Sequence, residues 1–208
     1  MLDAAVFWDK TSAKYAQSPI SDEKAYLTTL NKTRGYLSAD DRILEVGCGT
    51  GSTALLLAEN VREITATDVS GKMIEIGQGK AQAEGIKNVN FIQADVLDSS
   101  FNAEPYDAVL ALNMLHLLED VPAAVQTIKK RLKPGGLFIS KTVCNLPLKW
   151  RIMKLILPLV QLIGKAPYVN FMSAQEWENI IESGGFKIME SGNYPKTAMS
   201  RYIVARKI

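Results

Sequence analysis

The chain has few of the residues that build disulfide frameworks and metal sites. It contains two cysteines, Cys48 and Cys144, and a single histidine, His116, in 208 residues. Two cysteines this far apart fit neither a disulfide framework nor a zinc motif, and one histidine completes no ligand set. We therefore expect no bound metal and a reducing, cytoplasmic location.

The chain also lacks a large excess of charge of either sign. Lys and Arg total 24 and Asp and Glu total 22, which leaves a formal net charge of +2. A nucleic-acid-binding domain is usually strongly and locally basic, so DNA and large RNA partners are disfavoured. The N-terminal sequence MLDAAVFWDK lacks the basic start and apolar run of a signal peptide, so no targeting segment is expected.

The most informative stretch is an apolar run followed by closely spaced glycines, ILEVGCGTGSTALLLA at 43–58. Gly47, Gly49 and Gly51 lack a Cβ and can adopt positive φ, which lets main-chain N–H groups approach a ligand at a helix N-terminus. The apolar residues before the glycines predict a buried parallel strand, and those after them predict a helix. The pattern favours a small-molecule binding turn over a merely tight turn.

The spacing of the glycines distinguishes two classes of cofactor. In the dinucleotide fingerprint G-x-G-x-x-G the third glycine would fall at Ser52, whereas here it comes one residue earlier. The motif EVGCGTG at 45–51, which begins with Glu45 and contains Cys48, resembles the first motif of the class I S-adenosylmethionine-dependent methyltransferases. It is similar to the small-molecule type found in ubiquinone and menaquinone biosynthesis. The resemblance implies S-adenosylmethionine as cofactor and S-adenosylhomocysteine as product.

The resemblance continues where the next two strands end. It implies that Asp68 accepts hydrogen bonds from the ribose hydroxyls, with Val69 beside it. Met73 would pack on the adenine, although a methionine at the start of a helix also fits ordinary core packing. Asp95 would accept a bond from the adenine amine, unless it only caps a loop, and the N–H of Val96 would bond an adenine ring nitrogen.

The acceptor is expected beside the end of strand four and the N-terminal region. Leu112 and Asn113 would lie where the methionine half of the cofactor meets the acceptor. His116 follows them and is a candidate general base because its unperturbed pKa lies near neutrality, with helix packing as the alternative. Tyr15, in FWDKTSAKY, would fold over the cofactor and bond its carboxylate end, or would only help to pin an N-terminal helix to the sheet.

Five apolar runs alternate with helical stretches, which is typical of an α/β fold with a doubly wound parallel sheet. The runs lie near 42–47, 63–68, 89–94, 106–112 and 135–142. Two later runs, 185–195 and 200–207, are too close for a parallel crossover and must form an antiparallel hairpin. We predict a seven-stranded, mostly parallel, Rossmann-like sheet whose C-terminal hairpin is not expected of a dinucleotide-binding domain.

The length fits a single methyltransferase domain, 1–208. The expected parts are an N-terminal helical cap at 1–40, a cofactor-binding core at 41–143, an apolar insertion at 144–172 and a C-terminal helix and hairpin at 173–208. The basic helix before strand five is expected to end in the KPGG of 133–136, because Pro and Gly stop helices.

The insertion is far more apolar than the rest of the chain. Basic residues and Pro158 interrupt it, so it lacks the roughly twenty apolar positions that span a bilayer. The polar residues that share one side of its helical wheel are Arg151, Lys154, Gln161 and Lys165. Such a stretch can roof an acceptor pocket, contact an anionic membrane surface through 146–165, or pack internally or in a homodimer, so a monomer and a homodimer both remain open.

Methyl transfer from a sulfonium requires positioning more than acid–base chemistry, because the leaving group is neutral and good. The chain is therefore expected to transfer methyl to a small-molecule or lipid-like acceptor even though it lacks an obvious acid–base constellation. Oxygen, nitrogen, carbon and sulfur all remain open as the acceptor atom. An NAD-dependent oxidoreductase and a non-catalytic module that binds S-adenosylmethionine are the alternatives.

Overall fold

The described part of the chain alternates strands and helices. The computed structural model describes residues 4–98, 104–144, 157, 160–161 and 166–208. The strands there are β1 (Arg42–Val46), β2 (Glu63–Asp68), β3 (Val89–Gln93), β4 (Tyr106–Leu112), β5 (Leu132–Val143), β6 (Phe186–Asn193) and β7 (Ser200–Lys207). The α-helices with continuous bounds are α1 (Ala4–Gln17), α2 (Glu23–Arg34), α3 (Ser52–Leu57), α4 (Gly71–Glu84), α5 (Val121–Arg131) and α6 (Ala174–Ser183). Short 3-10 turns lie at Ala58–Asn60 and Leu115–Leu117.

The strands form one sheet in the order β3-β2-β1-β4-β5-β7-β6. Strands β1 to β5 pair in parallel, whereas β7 pairs antiparallel with both β5 and β6. The expected α/β class and the C-terminal antiparallel hairpin are confirmed. The sheet order adds that the last strand of the chain lies inside the sheet, between β5 and β6.

The central strands are buried because helices cover both faces of the sheet. Successive residues of β1 alternate between two apolar clusters. Leu44 belongs to the cluster that contains Val125 of α5 and Trp177 of α6. Ile43 belongs to the cluster on the other face, which contains Leu57 of α3. This layering leaves the carboxyl ends of the parallel strands as the place where loops from several strands meet.

The junction between α5 and β5 differs from the expectation for the KPGG segment. Helix α5 ends earlier, at Arg131, and β5 begins at once with Leu132. Leu132 pairs with Tyr106, but the next pair along is Leu137 with Ala108, so residues 133–136 form a bulge within the strand. Gly135 adopts φ +73° there, which suits an extra loop of backbone in a ladder.

The region after β5 is only partly described. The amphipathic helix predicted for 146–165 lies largely outside the described residues, and this includes three of its four polar positions. Helix α6 begins where expected, because Ser173 and Glu176 form a reciprocal capping box. Within the described ranges, no helix has the length and apolar character required to cross a membrane.

Candidate active site

A cavity of about 470 Å³ lies at the carboxyl ends of the parallel strands. This is where open α/β sheets bind their ligands, and the volume is in the usual range for a small-molecule site, about 300–1,000 Å³. Most of the residues singled out from the sequence line it together. They are Tyr15, Glu45, Gly47, Cys48, Gly49, Asp68, Val69, Met73, Asp95, Val96, Leu112 and Asn113.

The three glycines after β1 have left-handed backbones but different neighbours. Their φ angles are +65°, +55° and +74° at Gly47, Gly49 and Gly51, as the sequence predicted. A Cβ on Gly47 would lie 2.6 Å from the Cβ of Met114. A Cβ on Gly49 would lie 3.7 Å from the ring of Tyr15, an ordinary contact distance, on the side of the cavity. Both Gly47 and Gly49 line the cavity, and at Gly49 the place of the missing side chain is open towards Tyr15.

The glycine loop presents main chain without side chains to a ligand, while several of its N–H groups are already hydrogen-bonded within the protein. The N–H of Cys48 donates to the carbonyl of Thr67 at 2.9 Å, and that of Gly51 to the carbonyl of Cys48 at 3.0 Å. The N–H of Gly49 donates to Asp68 Oδ2 at 2.9 Å. These bonds hold the loop rigidly. Access to a ligand therefore depends on the missing side chains, because the N–H groups of these three residues already have partners within the protein.

Glu45 is a buried acid at the end of β1 and on the cavity wall. Its side chain is 3% exposed, and its Oε2 has no hydrogen-bond partner among the described residues. Burial raises the pKa of Glu45 to about 8; a backbone hydrogen bond from Ala54 opposes this and the charge of Asp68 adds to it. An unpartnered buried carboxylate is costly, so the site is built to receive a hydrogen-bond donor or a cation.

Asp68 ends β2 and connects the glycine loop to the following turn. Its Oδ2 accepts the N–H of Gly49 and its Oδ1 accepts the N–H of Ser70, both at 2.9 Å. Burial raises the pKa of Asp68, and these two N–H donors oppose the rise. Each carboxylate oxygen can accept a further bond, so two ligand hydroxyls can still be bound.

Helix α1 covers the glycine loop. The carboxylate of Asp9 accepts the hydroxyl of Ser70 at 2.6 Å and the N–H of Lys72 at 3.1 Å, which ties α1 to the start of α4. The rings of Trp8 and Tyr15 pack edge to face, with centroids 6.2 Å apart, and both line the cavity. Tyr15 is therefore both part of the aromatic pair that packs α1 and part of the cavity wall.

The ends of β2, β3 and β4 supply the remaining predicted residues. Met73 is 2% exposed at the start of α4. The carboxylate of Asp95 accepts the N–H of Leu97 at 2.7 Å, as a loop-capping aspartate does. Asn113 has φ +61°, a conformation that asparagine tolerates better than most residues. All three line the cavity, so the adenine contacts expected of Met73 and Asp95 stay predictions beside the packing and loop-capping roles that are seen.

Two of the predicted site residues lie away from the cavity. Among the described residues that line it, neither His116 nor Gly51 is present. Burial lowers the pKa of His116 to about 4, and its carbonyl accepts the N–H of Asn170 at 2.6 Å. A Cβ on Gly51 would lie 2.4 Å from the ring of Phe91. His116 is therefore a poor base at neutral pH, and Gly51 makes room for a helix–strand contact.

The sequence did not identify several residues that line the cavity, because they belong to no recognisable motif. Lys141 projects from β5, and its Nζ donates to the hydroxyl of Thr29 in α2 at 3.2 Å. Lys80 donates to the hydroxyls of Thr50 and Ser52 at 2.9 and 3.1 Å. From sequence alone, a lysine in a strand or in an amphipathic helix is interpreted as a surface residue. Only the packing of distant elements brings these ammonium groups to the cavity.

The chain matches known methyltransferases in sequence. Residues 43–136 match the family model described as a methyltransferase domain. The uncharacterized methyltransferase YcgJ of Bacillus subtilis strain 168 is 29% identical over 64% of this chain and 52% of its own length, so this chain spans about half of it. The ubiquinone biosynthesis O-methyltransferase of Acinetobacter baumannii strain ACICU is 25% identical over 99% of this chain and 87% of its own length.

The fold is also similar to that of solved methyltransferases. The magnesium protoporphyrin IX methyltransferase of Synechocystis PCC 6803, solved with bound S-adenosylhomocysteine, superposes with a TM-score of 0.73 at 18% identity, over 98% of both chains. The sheet order, the glycine loop and these matches define an α/β enzyme of the Rossmann-like kind. Together with the sequence matches, these findings support a class I S-adenosylmethionine-dependent methyltransferase. The matches favour this class over an NAD-dependent oxidoreductase.

Proposed function

We propose that the cavity binds S-adenosylmethionine along β1 to β4 and takes a small, largely apolar acceptor beside the end of β4. The observation that carries this proposal is the convergence of the predicted cofactor residues on one cavity. They come from five separate segments of the chain, so their meeting is not a consequence of local sequence. The name of the Acinetobacter relative supports an acceptor of small size with an apolar portion.

The residues present fit the cofactor at both of its ends. The sulfonium and ammonium of S-adenosylmethionine are cationic, and Glu45 has a buried oxygen without a partner on the cavity wall. Asp68 has acceptor capacity left for ribose hydroxyls, and Met73 and Val96 provide apolar surface for an adenine. The bare main chain of Gly49 leaves room between them, where a side chain would protrude.

The acceptor end of the cavity is more apolar. Beyond Asn113 the wall is formed by Met114, Leu117 and Leu118, and Ile20 faces it from the loop between α1 and α2. These side chains can hold a hydrocarbon portion of the acceptor and keep water away from it. The insertion at 144–172 is proposed to contribute as a lid over the acceptor, with a membrane-surface contact and internal or dimer packing as the alternatives.

The chain acts mainly by positioning. When bound, the cofactor supplies a methyl group on a positively charged sulfur, which is activated without help from a side chain. Asp68 and Glu45 hold and orient the cofactor, the apolar residues near Asn113 orient the acceptor, and α1 excludes water from above the glycine loop. Holding two reactants in line can lower a barrier by about 7–11 kcal/mol, so no strong acid–base pair is required.

Labelled methyl transfer tests the acceptor class. The protein is incubated with radiolabelled S-adenosylmethionine and with separate aqueous and lipid extracts of cells. We expect a labelled product of small molecular size, with label partitioning into organic solvent. Label incorporated into protein or nucleic acid instead would contradict the proposal.

Replacing Asp68 tests the cofactor site. We expect Asp68→Ala to weaken binding of S-adenosylhomocysteine, measured by calorimetry, by about tenfold or more, because hydrogen bonds to a charged group contribute about 1.5–3 kcal/mol. Asp40→Ala, at an exposed aspartate outside the cavity, is the matched control and should bind normally. Unchanged affinity in a folded Asp68→Ala protein would remove Asp68 from the site.

A further inference from the structure

Lys141 is a cation at the acceptor end of the cavity. It lies in β5 directly opposite Leu112 of β4, and its carbonyl accepts the N–H of Asn113 at 2.7 Å. Its side chain crosses to α2, where Nζ donates to the hydroxyl of Thr29. Both Lys141 and Thr29 line the cavity. The ammonium is thus placed beside the strand end at which cofactor and acceptor are proposed to meet.

This ammonium has no anionic partner among the residues that the structure describes. No ion pair involves Lys141 in the described ranges, and the nearby Asp22 acts on it only at a distance. Outside those ranges Asp3 is the one acidic residue of the sequence, and the stretch 145–165 contains neither Asp nor Glu. The charged residues of that stretch are all basic: Lys149, Arg151, Lys154 and Lys165.

The single hydrogen bond to Thr29 leaves Lys141 with donors to spare. An ammonium has three N–H groups. The hydroxyl of Thr29 itself lies 3.0 Å from the carbonyls of Ala25 and Tyr26, to which it donates, so it meets the lysine as an acceptor. Burial lowers the pKa of Lys141, as expected of a cation that lacks a counterion. The remaining N–H groups can reach a ligand in the cavity.

We propose that Lys141 binds an anionic oxygen group, a carboxylate or a phenolate, on the acceptor. This inference rests on the proposed function and narrows its acceptor to acidic compounds with an apolar portion. The cofactor end of the cavity then carries the acids Glu45 and Asp68, and the acceptor end carries the cation Lys141. A charge-assisted hydrogen bond in a partly dry site also orients its partner, which an apolar wall alone does not do.

The alternative is that Lys141 only links β5 to α2 through Thr29. Both interpretations predict a cost when the lysine is lost, so stability cannot separate them. They differ in ligand preference, because only an anion-binding lysine distinguishes a carboxylate from the matching amide.

Matched pairs of small probes test the inference. Binding of benzoate and benzamide, and of octanoate and octanamide, is measured by ligand-observed NMR on protein saturated with S-adenosylhomocysteine. The wild-type protein should prefer each carboxylate. Lys141→Met should lose that preference, with carboxylate binding weakened by about tenfold, whereas Lys141→Arg should keep it. Lys87→Met, at an exposed lysine outside the cavity, should behave as wild type.

The outcomes separate this inference from the proposed function. Calorimetry with S-adenosylhomocysteine should give the same affinity in all four proteins, which also shows that they are folded. No cofactor binding to the wild-type protein would overturn the proposed function, and the probe pairs are then compared on the free protein. Cofactor binding without a carboxylate preference, or a preference that survives Lys141→Met, would overturn the assignment of Lys141.

Discussion

At the scale of single residues, the site depends on a carboxylate kept in an unfavourable environment. Glu45 is buried at the end of a central strand, and its Oε2 has no partner among the described residues. Such a group destabilises the free protein when it is ionised and gains most from a cationic ligand. Binding sites commonly contain residues of this kind, whose environment suits a ligand better than it suits folding.

This state of Glu45 predicts a pH dependence of stability. Its pKa is about 8 in the folded protein, above the ordinary value of 4.5, so between these pH values the folded state holds a proton that the unfolded state releases. Stability should therefore fall as the pH rises through this window. The lowered pKa of His116 acts in the opposite direction below 6.5, so the clean comparison lies above that pH.

Urea unfolding at pH 6.5 and at pH 8.5 measures the effect. The wild-type protein should lose stability over this interval, and Glu45→Gln should lose less, because its amide does not ionise. Glu59→Gln, at an exposed glutamate, should match the wild type. An identical pH dependence in wild type and Glu45→Gln would show that Glu45 does not titrate in this range.

At the scale of elements, the ring of Phe91 accounts for the absence of a side chain at Gly51 and at Gly77. A Cβ on Gly51, at the start of α3, would lie 2.4 Å from the ring of Phe91, and one on Gly77, in α4, would lie 2.5 Å from it. The ring of this β3 residue therefore fills the space between two helices that only glycine leaves open. The third glycine of the loop serves the packing of α3 and α4 on the sheet, and the other two shape the loop beside the cavity.

Alanine substitutions at two glycines with positive φ, Gly85 and Gly51, separate the cost of backbone strain from the cost of a steric clash. Gly85, which follows α4, has φ +69° and open space around a Cβ, so Gly85→Ala should cost about 1–2 kcal/mol of stability from backbone strain alone. Gly51→Ala, at φ +74°, should cost about 1–3 kcal/mol more because it also overpacks against Phe91. Adding Phe91→Leu should recover part of the extra loss in denaturant unfolding. Equal losses of stability in the two variants would show that the Phe91 ring moves aside without an energetic cost.

At the scale of the whole molecule, the last strand completes the sheet from within. Tyr202, Ile203, Val204 and Ala205 are fully buried in β7, which pairs with strands on both sides. Residues of β7 belong to both apolar clusters. Strand β7 is thus part of the core, and both apolar clusters would lose buried side chains without it.

Truncation tests how far the fold depends on this strand. Removing residues 186–208 should abolish cooperative thermal unfolding followed by circular dichroism, because both clusters lose buried side chains. Removing Ile208 alone, a residue that is 75% exposed, should leave the melting temperature almost unchanged. A cooperative transition in the longer truncation would show that β1 to β5 form a stable unit without β7.

The sequence by itself determined the strand-forming runs, the glycine loop and the acids at or near the carboxyl ends of β1, β2 and β3. These features are local: burial on both faces requires continuous apolar runs, and a left-handed turn requires glycine at fixed spacing. The resemblance of that loop to the first motif of the class I methyltransferases implied the cofactor class. The C-terminal hairpin also followed, because its connection is too short for a parallel crossover.

Tertiary structure alone decided which side chains share the cavity. It brought Lys141 and Thr29 together from β5 and α2, and it placed His116 away from the cavity in spite of its position after β4. It also gave Gly51 a packing partner instead of a ligand and inserted β7 beside β5. Such contacts depend on strand register and on the face that each helix presents, and those follow from how the whole core packs and not from any short segment of sequence.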